Sequence, residues 1–196
     1  MCEDYFDTGI KDFNNCFEDA IRKMYRLTQE EWEEFKEILE NGFNKDKNPI
    51  YKLNICELDL LINFPECAIE VYKAIEKATI MTIYKWGQSS VKDCSDAFRH
   101  AYWMTLISRV TVCGGAVARA FGIAHECDLP AGAHDKNMDL FNNDLGISIA
   151  ENNPGLSEAE LANLLCNYIN SGDFKIMADP YLPSEHLIFS TGCICK

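Results

Sequence analysis

The residues of this chain that could do chemistry lie in three polar blocks within an otherwise apolar stretch from Ser90 to Ala150. They read Asp96-Ala97-Phe98-Arg99-His100-Ala101-Tyr102-Trp103, then Ala124-His125-Glu126, then Met138-Asp139-Leu140-Phe141-Asn142-Asn143, and three of the chain's four histidines fall in the same stretch. Imidazole and carboxylate groups together make a nitrogen and oxygen ligand set suited to zinc, manganese or iron. Asp96, His100, His125 and Asp139 are the candidate ligands of such a divalent ion. The ion would lower the pKa of a bound water, Glu126 would act as general base, and Arg99 would hold an anionic group in its planar fork. Without a metal, Asp96 would orient His100 one helical turn away, and His100 would activate water or substrate. Asn142 and Asn143 either bond a substrate or clamp a neighbouring helix, and Trp103 is placed to wall the pocket. Either mechanism makes the chain a hydrolase.

The bland alternative carries weight. A buried histidine taken alone is more often a hydrogen-bonded core residue than a ligand. Grouping changes the balance, because burying several ionisable side chains for structure alone is a poor route to stability. Perturbed groups gathered in a pocket favour function. The competing reading is a non-catalytic binding or structural domain whose polar cluster fixes helix packing.

Helices must position these groups. At 3.6 residues per turn, Asp96, Arg99, His100, Trp103 and Ile107 share one stripe, and Asp139, Asn142, Asn143, Gly146 and Ala150 share another at the same spacing. A third stripe, Gly114, Ala118, Gly122 and His125, is small until it reaches the histidine and would admit a close neighbour. The first stripe lies in a run apolar on nearly every face, which predicts a buried central helix over about 90–112, capped by Ser90 and Asp93.

Around it the periodicity predicts helices over 10–26, from Thr28 to Gly42, over 53–64, over 66–86 with Gly87 as the stop, over 116–127 and over 137–151. Residues 128–136 read as a loop over the pocket, with His134 solvated. Ser157 and Glu160 form a capping box for one more helix. Residues 173–196, with Pro180 and Pro183, read as an irregular tail packed on the core, and His186 within it lies between Glu185 and Leu187, outside the candidate set. No strand alternation is evident. The fold class is all-α, a single domain over 1–196 with seven or eight helices, and 90–150 carries the site.

Composition narrows the partners. With 18 basic and 31 acidic residues the net charge is −13, which repels phosphate backbones and disfavours nucleic acid as a substrate. A small molecule, a phosphoester, a lipid ester or a glycan remains. No apolar run is long enough to span a membrane, and the acidic N-terminus lacks the basic start and apolar centre of a signal peptide. Cytoplasmic and exported locations both fit, and nothing fixes an oligomeric state. The ten cysteines contain no C-x-x-C pair, which argues against a zinc finger. Their even number fits disulfides in an exported protein and equally fits buried thiols, since Cys16, Cys67 and Cys166 lie in helix-like segments.

Taken together, the three blocks resemble an uncharacterised helical domain family with the pattern Asp-Ala-x-Arg-His-Ala-Tyr-Trp, then Ala-His-Glu, then Met-Asp-Leu-x-Asn-Asn followed by glycine. Asp96 to Trp103, Ala124 to Glu126 and Met138 to Gly146 match it in order. The resemblance implies a helical fold and a shared site and names no activity. That family carries a basic residue after the glycine, where this chain has Ile147. The Arg-His-x-Tyr helix also resembles secreted phospholipase A2, whose helical histidine works beside an aspartate. Ala101 stands at that aspartate's position, so this likeness points only toward lipid ester substrates.

Overall fold

The computed structural model describes residues 28–30, 32–33, 37, 54–178 and 186–195. Among these, six helices and a two-stranded ladder follow in order: α1 (Ile55–Asn63), α2 (Pro65–Trp86), α3 (Cys94–Arg109), α4 (Gly114–His125), α5 (His134–Asn152), α6 (Glu158–Ser171), β1 (Lys175–Met177) and β2 (Leu187–Phe189). Each boundary has a local cause. Helix α1 opens on a capping box, with Asn54 Oδ1 accepting the Glu57 N–H at 2.9 Å and Glu57 Oε2 accepting the Asn54 N–H at 2.7 Å. Pro65 at the start of α2 lacks only an N–H that no helical carbonyl would have accepted. Gly87, at φ 74°, ends α2 in the left-handed conformation that glycine adopts most readily. The Ser157 and Glu160 box opens α6 as expected.

Helix α3 is the centre of the fold. It is buried along nearly its whole length and packs against α2, α4, α5, α6 and β1, with its largest interface on α5. That crossing is close because of one residue: a methyl group on Gly146 would fall 2.2 Å from the Ala101 carbonyl oxygen. Thr105 then donates to the Gly146 carbonyl at 2.9 Å. Gly122 plays a similar part on α4, where a methyl group would lie 2.8 Å from the Asn143 amide nitrogen. The small residues of the predicted stripes are thus what let three helices meet around α3.

The all-α, single-centre architecture agrees with the sequence, and several boundaries move. The central helix begins at Cys94 rather than near Ser90, because Asp93 is its cap and accepts the N–H groups of Ser95 and Asp96 at 2.8 and 3.1 Å. Helix α5 starts at His134, so the loop before it is shorter than 128–136. The tail contains strands after all, pairing Lys175 with Phe189, Ile176 with Ile188 and Met177 with Leu187. Strands of three residues are too short to leave a readable alternation. Of the described tail residues, Phe174 is fully buried in the core and Ser190 donates to the Ile169 carbonyl at 2.8 Å. The predicted helix over 10–26 lies outside the described residues. Gln29, Glu30, Trp32, Glu33 and Glu37 are helical, within the predicted second helix, and Trp32 is buried.

Every cysteine among the described residues is paired. The bridges are Cys56–Cys127, Cys67–Cys113, Cys94–Cys193 and Cys166–Cys195. Cys67 and Cys166, whose helical settings also fitted buried thiols, are both in bridges. No described helix is long and apolar enough to cross a membrane.

Candidate functional site

Asp96, Arg99, His100 and Trp103 come from α3, Asp139, Asn142 and Asn143 from α5, and His125 and Glu126 from the end of α4. His100 is 4% exposed and sits at the focus. Its Nε2 is 3.6 Å from Asp96 Oδ1 and 3.7 Å from Asp139 Oδ1. Those separations are longer than hydrogen bonds, so two carboxylates are gathered at one imidazole nitrogen without closing on it. The donor atoms of Asp96, His100 and Asp139 all lie within 4.8 Å of one another, and so do those of His100, His125 and Glu126. His100 belongs to both sets.

Asp139 Oδ1 is buried without a hydrogen-bond partner; His100 Nδ1 and the Asn143 amide make no well-formed bond, although the two side chains stand close enough for Asn143 to act on His100 as a hydrogen-bond partner that raises its pKa. Buried polar atoms nearly always find partners. A concentration of unmet ones between three packed helices therefore marks a place for an ion, a ligand or water.

Asp96 is held from outside the cluster. Arg99 Nη2 bonds its Oδ1 and the Lys92 N–H bonds its Oδ2. Lys92 is the one described non-glycine residue with a positive φ, 66°, and that conformation aims its N–H at the carboxylate. Arg99 Nη1 donates to Ser89 Oγ and to the Ser90 carbonyl, each at 3.1 Å. The guanidinium expected to hold an anionic group is thus engaged in fixing Asp96 and the turn before α3. On the far side, His125 Nδ1 is 2.7 Å from Glu57 Oε1. Trp103 stands edge-on to both histidine rings, with centroids 6.5 Å from His100 and 5.2 Å from His125. It walls the cluster as its stripe predicts.

Burial pushes the Asp139 carboxyl well above the usual range, and the charges of Asp96 and Glu126 push it further against the opposing Arg99. Burial also raises Asp96, against Arg99 and the Lys92 N–H, and raises Glu126, with Asp96 and Asp135 adding to the effect and His125 opposing it. His100 goes the other way: burial, then Arg99 and His125, hold it well below the ordinary histidine value. His125 is raised, because the hydrogen bond and charge of Glu57, with Glu126, outweigh the burial that opposes them. A neutral imidazole thus stands among acids that cannot all ionise together. A divalent cation would offset the charge of the carboxylates in ionised form and accept the lone pair of a neutral imidazole, so the donor set fits one. The side chain of His125 is 28% exposed and brings the cluster to the surface.

Residues 58–173 match the family model described as a domain of unknown function, DUF6973. The chain belongs to that family. Neither a curated protein nor a solved structure matches it. The matched span of the DUF6973 domain holds all three sequence blocks, in keeping with the expected membership of an uncharacterised helical family.

Within the DUF6973 domain the predicted residues divide. Asp96, His100, His125, Glu126, Asp139 and Trp103 come together as described. Asn143 faces His100 within the cluster. Asn142 clamps a neighbouring strand: its Nδ2 donates to the Lys175 carbonyl at 2.9 Å and its Oδ1 accepts the Lys175 N–H at 3.0 Å, which docks β1 on α5. Ile147 is 1% exposed in the core, so that position contributes packing and no charge. His134 forms the first turn of α5. Two participants escaped the sequence reading, Lys92 and Glu57. For Glu57 a signal existed, since Asn54-x-x-Glu57 before an apolar run is a capping pattern, but nothing local says that this cap lands on His125.

Proposed function

We propose that this DUF6973 domain is a metal-dependent hydrolase whose divalent ion is held by Asp96, His100 and Asp139. The observation that carries the reading is the convergence of two buried carboxylates on His100 Nε2, with Asp139 Oδ1 left unmet beside them. A bound ion of the zinc, manganese or iron class would supply Lewis acidity and a water ionised near neutral pH. With an ion bound, Glu126 would serve as general base, and its raised pKa moves it toward the working range of one. The Asn143 amide donates to the oxygen on which charge develops. Arg99 and the Lys92 N–H keep Asp96 in place, and Trp103 excludes bulk water. His125, a candidate ligand by sequence, belongs with His100 and Glu126 to a second donor set, and its partly exposed side chain connects the cluster to the surface. A net charge of −13 favours a small ester or phosphoester over long nucleic acid. The four bridges fit an oxidising compartment outside the cytosol.

The enclosure of the cluster supports a second reading, in which the ion only fixes helix register. Glu126→Gln separates the two. The variant is expected to fold and keep its metal while hydrolysis of p-nitrophenyl esters or bis(p-nitrophenyl) phosphate falls about 10²–10⁴-fold. Unchanged turnover would remove Glu126 from the mechanism, and loss of the fold with loss of metal would favour the register reading.

A further inference from the structure

Three residues in the first turn of α1 grip the end of α4. Asn54 Nδ2 donates to the carbonyls of Ala124 and His125 at 2.8 and 2.9 Å. Cys56 is bridged to Cys127. Glu57, fully buried, meets His125 Nδ1 through Oε1 at 2.7 Å and accepts the Asn54 N–H through Oε2 at 2.7 Å. A cap needs only one of those oxygens. The other is committed to the histidine.

From this geometry we infer that Glu57 is the positioning residue of His125, fixing the ring with Nδ1–H on the carboxylate and, in the neutral imidazole, the Nδ1–H tautomer. A buried carboxylate accepts and cannot donate, so the imidazole nitrogen facing it must carry the proton. Trp103, edge-on at 5.2 Å, and the pair of backbone bonds from Asn54 hold the ring plane. Glu57 lies just outside the span of the family match, so the match itself does not assign it. The kinetic consequence rests on the hydrolase reading, whereas the tautomer does not.

The test uses the full oxidised chain and Glu57→Gln. An amide has one accepting oxygen, so the variant cannot accept from both Asn54 N–H and His125 Nδ1–H. With its oxygen on the cap, its NH₂ faces Nδ1 and reverses the tautomer. Long-range ¹H–¹⁵N spectra at about pH 9, where imidazoles are neutral, are expected to show Nδ1–H for His125 in the parent and Nε2–H in the variant. Turnover of bis(p-nitrophenyl) phosphate or p-nitrophenyl acetate with added Mn²⁺ or Zn²⁺ is expected to fall about 10–100-fold at unchanged metal content. An Nε2–H parent overturns the inference, and so does a folded variant with full turnover. The parent tautomer needs no variant, so a variant that fails to fold still leaves a decision. A parent that turns over neither probe counts against the hydrolase reading, and its tautomer then decides the inference alone.

Discussion

Asp139→Asn is expected to make the metal-free protein more stable at neutral pH while destroying its capacity for metal. Burial, with Asp96 and Glu126, holds this carboxyl well above its ordinary value. Between the unfolded pKa, about 3.9, and the raised folded value, the folded state keeps a proton that the unfolded state has released. Stability therefore falls as pH rises through that window, the reverse of a salt-bridged carboxylate. Asparagine cannot ionise, so the variant loses this slope. His100 acts in the opposite sense, since its lowered pKa means that the unfolded state takes up a proton first as pH falls. Asp96, Glu126 and His125, all raised, share the sign of Asp139. Asp96 and Glu126 interact with Asp139 through their charges, so the difference between the two curves reports Asp139 together with its coupling to them. Denaturant titrations of chelator-treated protein at several values from about pH 5 to 8 provide the check. Parallel curves would show that Asp139 is already ionised without metal. The same substitution removes a ligand oxygen and should weaken metal binding by more than the ~10–100-fold that losing an outer-shell partner costs.

Reduction of the disulfides is expected to have an effect on stability of similar or greater size. Cys94, the first residue of α3, is bridged to Cys193 across 99 residues. In the chain-entropy account a loop of that length contributes about 4.7 kcal/mol, a large part of the ~5–15 kcal/mol by which domains are stable. The bridge also joins the start of the site helix to the tail that Asn142 docks. Cys94→Ser with Cys193→Ser should lower the thermal midpoint more than opening Cys166–Cys195, which closes only 29 residues. Full reduction should unfold the domain. A thermal midpoint unmoved by complete reduction, verified by thiol counting, would contradict this.

The helices were legible because their signals are local. Pro65, Gly87 and the Ser157 box set boundaries that the structure keeps. The stripes through Asp96 and Asp139 predicted convergence correctly, since Gly146 and Gly122 are small for the reason the pattern suggests. What sequence could not carry was pairing over distance. Arg99 has the right chemistry for an anion, yet Ser89, Ser90 and Asp96 take its fork. Asn142 and Asn143 are neighbours of identical type, and only the position of β1 decides that the first is a clamp. Glu57 is the clearest instance: its partner His125 is 68 residues away, and a capping glutamate normally faces water.

The central claim is that Asp96, His100 and Asp139 surround a cation. Elemental analysis of the oxidised full chain, purified without exposure to chelator, tests it most directly. One divalent ion per chain is predicted, lost in Asp139→Asn. A parent that carries no ion as purified and takes up none from added zinc, manganese or iron would contradict it.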